Sequence, residues 1–418
     1  MERGFFPLDE ALGIGSGGWT PRVQEWMVRL GTCVASFAKA AELVNDGWGV
    51  AVSEATVRRQ TERAGEAAAR LQDEEAEALD RELPEGKGAA ERLQVSVDGS
   101  YVQVVGGEWV EVKALAIGEV KSNGEEVGVE NITYFARRAE AERFRHLAMG
   151  ETYRRGVWEA NEVAGVSDGA DWIQGFYDYH CPQAVRILDF CHAVERLGKL
   201  GEVLYGSESE AARQWTAEQA QRLKEAGGEQ VVSELAELVE GHPQRARMEE
   251  DLNYLLKRQD MMDYATFRQQ GWPIGSGMVE SAHKVVVQVR LKGAGMRWAE
   301  QHINPMLALR TVECNHQWQE QWPRIVQRWQ KLERAERQER RKKRKGESNE
   351  SMAVQTTPPQ KDQGKTKGKS KPAPTIAQPT EQNQPAASQT RRPAPDHPWR
   401  RMPIGRALFY PNPTSEKN

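Results

Sequence analysis

Asp98 follows Leu93-Gln-Val-Ser-Val, an alternating apolar stretch whose first carboxylate it is. An acid at an inward strand position is costly unless it is paired or bound to a metal. The next residue, Gly99, makes an Asp-Gly turn at a strand end an equal alternative. Asp168 ends a second apolar stretch, Glu162 to Ser167, and Gly-Ala-Asp171-Trp-Ile follows. Asp171 fits two roles. It is the alternative to Asp168, or it caps the helix carrying Trp172 and Ile173. Glu280 lies in Gly275-Ser-Gly-Met-Val-Glu280-Ser. With Ser276 as N-cap it falls in or just past the first helical turn, where an acid also complements the helix dipole. Carboxylates converging from separate elements are hard oxygen donors of the kind Mg²⁺ or Mn²⁺ prefers. Two such ions, about 3.5–4 Å apart, activate an attacking oxygen and stabilise a leaving one, which is what phosphodiester cleavage needs.

Basic residues crowd one side of this set. His283 and Lys284 lie one helical turn beyond Glu280, and Arg290, Lys292 and Arg297 follow. An acid beside a cationic ridge suits a metal site that also grips DNA phosphates. The glycines alone are a weak phosphate-loop signal, because no Gly-Lys-Ser/Thr follows. Asp189 and His192 are three apart and share a helix face. A zinc site would need a second ligand pair, which is missing, so a hydrogen bond that orients the site wall is the preferred reading. Trp109, Trp158, Trp172, Trp272 and Trp298 are each core residues or platforms for unpaired bases.

The elements that must position these residues follow from periodicity. Residues 1–66 are read as helical. Thr20-Pro21 opens one helix and Ser36 a second, Gly47-Trp48-Gly49 breaks that one, and Ser53 caps a third over Glu54 to Ala64. Two short helices about a glycine turn fit a DNA-binding helix-turn-helix, with Arg58, Arg59 and Arg63 facing DNA, or an ordinary helical hairpin. Residues 67–91 are read as a solvated helix and linker. Over 92–192 the pattern gives three strands, a helix (Ala139 to Val157), a strand, a helix, a strand and a helix, the order of a ribonuclease-H-like α/β fold. Residues 193–270 read as an all-helical insertion, 271–339 as the final helices of the core, and 340–418 as a disordered tail.

Composition narrows the class. The chain has 418 residues and no apolar run long enough to span a bilayer, so no membrane association is expected. Its four cysteines form no Cys-x-x-Cys pair, which fits a reducing cytosol. Residues 341–418 carry 16 Lys and Arg against 6 Asp and Glu, while residues 1–340 carry 41 against 55. The body is thus acidic, and any DNA binding must come from local patches.

These motifs together resemble the Kra-type insertion-sequence transposases of bacteria. The matching stretches are Pro7-Leu-Asp-Glu-Ala-Leu-Gly, Val97-Asp-Gly-Ser, Ser167-Asp-Gly-Ala-Asp-Trp-Ile, Leu188-Asp-Phe-Cys-His-Ala-Val-Glu, Pro273-Ile-Gly-Ser-Gly-Met-Val-Glu-Ser, Gly293-Ala-Gly-Met-Arg-Trp and His397-Pro-Trp-Arg. The resemblance implies a ribonuclease-H-like catalytic domain with a helical insertion before the last carboxylate. It places catalysis and metal binding, by two Mg²⁺ or Mn²⁺ ions, on Asp98, Asp168 and Glu280. Asp189 and His192 match the aspartate-x-x-histidine signature of related transposases. The implied reaction is hydrolysis at the element's ends, then attack of a 3′-hydroxyl on target DNA. The implied partners are inverted-repeat and target duplexes, met by a homo-oligomer in a bacterial, nucleoid-associated setting. A DNA-binding remnant without catalysis and a stand-alone ribonuclease-H-like nuclease are the alternatives. Family members usually carry zinc-ribbon cysteines upstream of the Pro-Leu-Asp-Glu motif, which begins here at residue 7. The expectation is therefore chemistry without that part of end recognition.

Overall fold

Capping residues set the first three helices. Thr20 accepts a hydrogen bond from the Val23 N–H, and Pro21 begins α1 (Pro21–Cys33). Ser36 Oγ accepts from the Lys39 N–H at 3.1 Å to open α2 (Phe37–Trp48), which stops at Gly49 with φ +62°. Ser53 accepts from the Thr56 N–H at the start of α3 (Glu54–Arg81). These helices belong to a computed structural model that describes residues 14, 18–86, 88, 90–123 and 126–354. The Pro7 to Gly13 motif and the sequence beyond 354, with Pro398-Trp399 and Leu408 to Tyr410, lie outside the described residues.

Helix α3 corrects the sequence reading. It does not stop near Ala64 but runs 28 residues, so the boundary expected at 66/67 falls inside it. Nor is its second half a purely solvated linker, since Ala67, Ala68, Ala76 and Leu79 are buried. The cause is close helix packing. A Cβ on Gly65 would come 2.5 Å from the Pro305 carbonyl oxygen, so this glycine serves an approach between helices rather than a break.

The sheet is mixed and five-stranded. β1 (Arg92–Gln103), β2 (Trp109–Asn123) and β3 (Glu126–Arg137) pair antiparallel. The expected helix over Ala139 to Val157 is instead two, α4 (Ala141–Leu147) and α5 (Met149–Arg154). At the break the Thr152 hydroxyl bonds back to the carbonyls of Ala148 and Met149, a contact that bends helices. β4 (Glu162–Ser167), α6 (Asp171–His180) and β5 (Val185–Leu188) follow. The spatial order is β3-β2-β1-β4-β5, with β4 parallel to β1 and β5 parallel to β4.

Strand alternation sorts β1 between two cores. Leu93, Val95 and Val97 pack with Phe144, Ile173 and Phe176 of α4 and α6. Gln94 and Ser96 point to the other face, where Gln94 Nε2 donates to the Gly275 carbonyl at 3.1 Å. Asp98 shares that second face.

The helical stretch expected between strand and final helices is α7 (Phe190–Tyr205), α8 (Glu210–Ala226), α9 (Gly228–Glu240), α10 (Arg245–Leu256) and α11 (Tyr264–Gln269). The expected boundary at 192/193 lies inside α7. Leu197, Leu200, Leu235 and Leu252 pack against Val166 and Ile187 of the sheet. α12 (Gly277–Ala282) continues through a π-helical stretch, His283–Gln288, to a last turn, Val289–Leu291. α13 (Ile303–Cys314) packs on α3. α14 (Trp318–Val354) runs past Arg340, where composition predicts disorder. Strong helix formers with i,i+4 pairs, Arg337 to Glu333 at 3.1 Å and Arg340 to Glu336 at 3.7 Å, carry the exposed helix onward. Among the described residues no helix is long and apolar enough to cross a membrane.

Candidate active site

Parallel pairing of β1 and β4 sets the first two acids. The last registered pair is Val95 with Gly165. Asp98 and Asp168 each lie three residues further on, so both sit at the same level beyond the carboxyl end of β4. This is the neighbourhood in which open α/β sheets gather functional groups. The Asp98 side chain is about one-third exposed. Its Oδ1 accepts from the Gly99 N–H at 2.7 Å, and its Oδ2 lies 3.1 Å from His283 Nε2.

Asp168 Oδ1 accepts from the Ala170 N–H at 2.8 Å. Burial raises the Asp168 pKa above the ordinary value against that bond, and the Asp98 charge raises it further while His192 and Arg258 oppose. Two partly desolvated carboxylates that repel one another form an anionic pair that a divalent cation would relieve. Both side chains are carboxylate oxygen donors, the type a divalent cation such as Mg²⁺ takes.

Asp171 is placed elsewhere. Its side chain is 75% exposed and pairs with Lys257 at 2.6 Å. That ion pair holds its pKa below the usual carboxylate value. It is the first residue of α6, whose N-cap is Ala170, so it is not that helix's cap.

Glu280 is brought to the same end of the sheet by a clip that sequence does not show. Ser276 does not use its side chain as an N-cap. Instead its N–H donates to Asp189 Oδ2 at 2.6 Å and its hydroxyl donates to the same oxygen. The Phe190 N–H donates to the Ile274 carbonyl at 3.0 Å. Met278 and Val279 then pack against Val102, Val112, Ala114 and Ala116. Glu280 itself faces outward. Its side chain is 57% exposed, lies 3.9 Å from Lys284 Nζ, and its charge is felt at Cys191. The expected three-carboxylate cluster is thus not closed. Among the described residues no group of three or more His, Cys, Asp or Glu is arranged to hold a metal ion.

Asp189 and His192 form the wall between these acids. Asp189 is buried and accepts from the Cys191 N–H at 2.7 Å as cap of α7. Burial would raise its pKa, but His192 and the two Ser276 donors hold it well below the ordinary range. His192 Nδ1 lies 3.7 Å from Asp189 Oδ1, too long for a hydrogen bond, so that link is mainly electrostatic. The Asp189 carboxylate raises the His192 pKa, burial opposes, and Asp168 and Asp98 add to the rise. His192 is therefore an imidazole within the field of both candidate ligands.

Three residues of the insertion complete the wall and escaped the sequence reading. The Tyr254 hydroxyl donates to the Asp168 carbonyl. Arg258 Nε donates to the Gly169 carbonyl at 3.0 Å, and the Tyr264 hydroxyl to the Leu188 carbonyl at 2.9 Å. The available signal was Tyr254, Lys257 and Arg258 at spacings of three and four, which share a helix face. Gly169, at φ +75°, has no room for a side chain, since a Cβ would lie 2.5 Å from Arg258 Nε. Gly169→Ala is expected to cost at least ~1–2 kcal/mol from the left-handed backbone alone. A urea melt checks this, and an unchanged midpoint would refute the left-handed backbone at Gly169.

The basic candidates divide. Arg58, Arg59 and Arg297 are exposed, and Arg63 pairs with Glu333 at 3.2 Å. Lys284 is exposed beside Glu280, whereas Lys292 is half-buried, its pKa lowered by burial and raised in part by Asp98. Arg290 contradicts the expected surface ridge, for only 2% of it is exposed. Its guanidinium lies over Phe37 and Trp298, because the helical run that carries Glu280 outward turns Arg290 toward α2. Trp272 and Trp298 are buried, while Trp109 is 60% exposed.

No protein-family model matches the chain, and no curated protein does. Among solved structures it is similar to the Drosophila P element transposase strand transfer complex, at 10% identity and a TM-score of 0.26, over 74% of this chain and 86% of that one.

Proposed function

We propose that the chain is a DNA transposase with a ribonuclease-H-like catalytic core, and that Asp98, Asp168 and Glu280 are its metal-binding carboxylates. One observation carries the reading: Asp98 and Asp168 stand three residues beyond the same registered pair on neighbouring parallel strands, their charges opposing one another. Bound Mg²⁺ or Mn²⁺ would supply an activated oxygen nucleophile and stabilise the leaving oxygen of a phosphodiester. The chain's own residues do the rest. His283 orients the Asp98 carboxylate. Asp189 fixes the Gly275-Ser-Gly block and hence the start of α12. Glu280, held only by one exposed pair with Lys284, is free to swing inward as the third ligand, since such pairs are worth about 0–1 kcal/mol. Arg59 and Lys284 are surface cations for phosphates.

The test is cleavage of duplex DNA that flanks the gene, with any terminal inverted repeats it carries, in Mg²⁺ or Mn²⁺ and with chelator. Metal-dependent nicking at the repeat ends and joining to a second duplex are expected. A second reading, a DNA-binding protein without cleavage, is favoured by the outward Glu280. Gel-shift binding with no metal-dependent nicking would select it.

A further inference from the structure

A second site lies away from the carboxylates, in a cavity of about 530 Å³ lined by the start of α2, one face of α3 and the loop after Leu291. Its inner wall holds two buried donors without acceptors. Arg290 donates from Nε to the Gly31 carbonyl at 3.0 Å and from Nη1 to the Ala35 carbonyl at 3.4 Å, but its Nη2 has no partner. Its guanidinium sits 4.3 Å from the Phe37 ring centroid and 4.9 Å from that of Trp298. No carboxylate pairs with it among the described residues, and the charge that its surroundings register is a second cation, Arg310. Trp298 is 6% exposed, and its Nε1 is also unpartnered. A buried cation without a counter-charge and a buried N–H without an acceptor are both costly, so each calls for an acceptor, which a ligand oxygen at this wall would supply.

The mouth of the cavity sets the ligand's charge. Arg58 and Arg297 line it and are exposed. Glu54 and Glu62 line it too, and Glu62 lies 3.8 Å from His302 Nε2. Three arginines against two glutamates leave one positive charge with His302 neutral. That matches a phosphodiester, which carries one negative charge and two acceptor oxygens, better than a dianionic phosphomonoester. Ser36, the cap of the 12-residue α2, places that helix's positive end at the same wall.

We propose that this cavity seats a backbone phosphodiester of duplex DNA, with Arg290 Nη2 and Trp298 Nε1 donating to its oxygens and Arg58 and Arg297 closing over it. The occupant rests on the transposase reading, while the oxyanion seat itself does not. Arg290 stands ten residues beyond Glu280 in one helical run that includes the π-helical stretch, so the two lie more than two turns apart. The seat would therefore hold the strand at a distance from the cut and fix its register.

The full chain, labelled with ¹⁵N at its tryptophan indoles, is titrated first with dimethyl phosphate, a small phosphodiester, then with a fluorescein-labelled duplex followed also by anisotropy. The Trp298 indole resonance, identified by its loss in Trp298→Phe, is expected to shift with both probes. Arg58→Ala and Arg297→Ala are each expected to reduce the magnitude of the slope of log affinity against log salt, by about 0.9 at most because a single phosphate is seated. If Trp298→Phe does not fold, these exposed-arginine variants carry the test alone, and an unchanged slope in both overturns the seat. Duplex binding that leaves the Trp298 indole unmoved overturns the seat and spares the DNA reading. An indole that moves with dimethyl phosphate, in a chain that binds no duplex, overturns the DNA occupant.

Discussion

Replacing Asp98 or Asp168 by asparagine is expected to remove metal-dependent DNA cleavage while leaving the fold intact. Charge stabilisation by a bound metal is worth several kcal/mol in the transition state. At about 1.4 kcal/mol per factor of ten, losing one ligand should slow cleavage on the order of 10³-fold or more. The stability side of this prediction is specific to Asp168. Its pKa is raised in the fold, so its charge opposes folding, and that penalty appears as pH rises from the unfolded value of about 3.9 through the folded one. Asp168→Asn removes the penalty, so its urea midpoint at neutral pH should equal or exceed that of the unmodified chain. Asp171→Asn, which loses only an exposed pair with Lys257, should cleave normally. Cleavage that survives Asp168→Asn and fails in Asp171→Asn would reassign the second ligand.

Asp189→Ala should do the opposite, acting first on stability. The substitution strips acceptors from the Ser276 N–H and hydroxyl and from the Cys191 N–H, all at a buried carboxylate. Removing one partner from a buried charged cluster costs about 3–5 kcal/mol. Asp189 has a depressed pKa in the fold, so its contribution is full above the unfolded value of about 3.9 and is lost as pH falls through the folded value. The gap between the unmodified chain and Asp189→Ala should therefore be constant near neutrality and narrow below about pH 4. Urea melts at several pH values measure this. Equal stabilities at pH 7 would show that the Ser276 clip does not hold α12 in place. Cleavage should fall with the fold here, because that clip fixes the start of the helix that carries Glu280.

The site was legible in unequal parts. Asp98 and Asp168 were visible because each follows an alternating or apolar strand stretch, and strand periodicity is a local property of sequence. Glu280 was visible as part of a helix-opening block, but the direction of its side chain was not. Arg290 was misread for the same reason. Charge at helical spacing reveals a shared stripe, and whether that stripe meets solvent or another helix depends on the partner that packs there. Here the partner is α2, whose Phe37 covers the Arg290 guanidinium. Helix α3 was read as one helix ending at Ala64 and a separate solvated one from residue 67, whereas in the fold the two are continuous and Gly65 lets α13 approach closely.

Sequence by itself determined the order of the strands and helices around the sheet, the caps Thr20, Ser36 and Ser53, and the acids that follow the apolar stretches of β1 and β4. All of these rest on interactions within a few residues along the chain. Only the tertiary structure decided that β4 lies beside β1 in parallel, which sets Asp98 level with Asp168 and leaves Asp171 on the surface. It likewise decided that Asp189 reaches Ser276, 87 residues on, and that Arg290 and Trp298 meet at one cavity wall. Contacts at such separation form only when several hydrophobic faces are buried together, and no local pattern encodes which faces those will be.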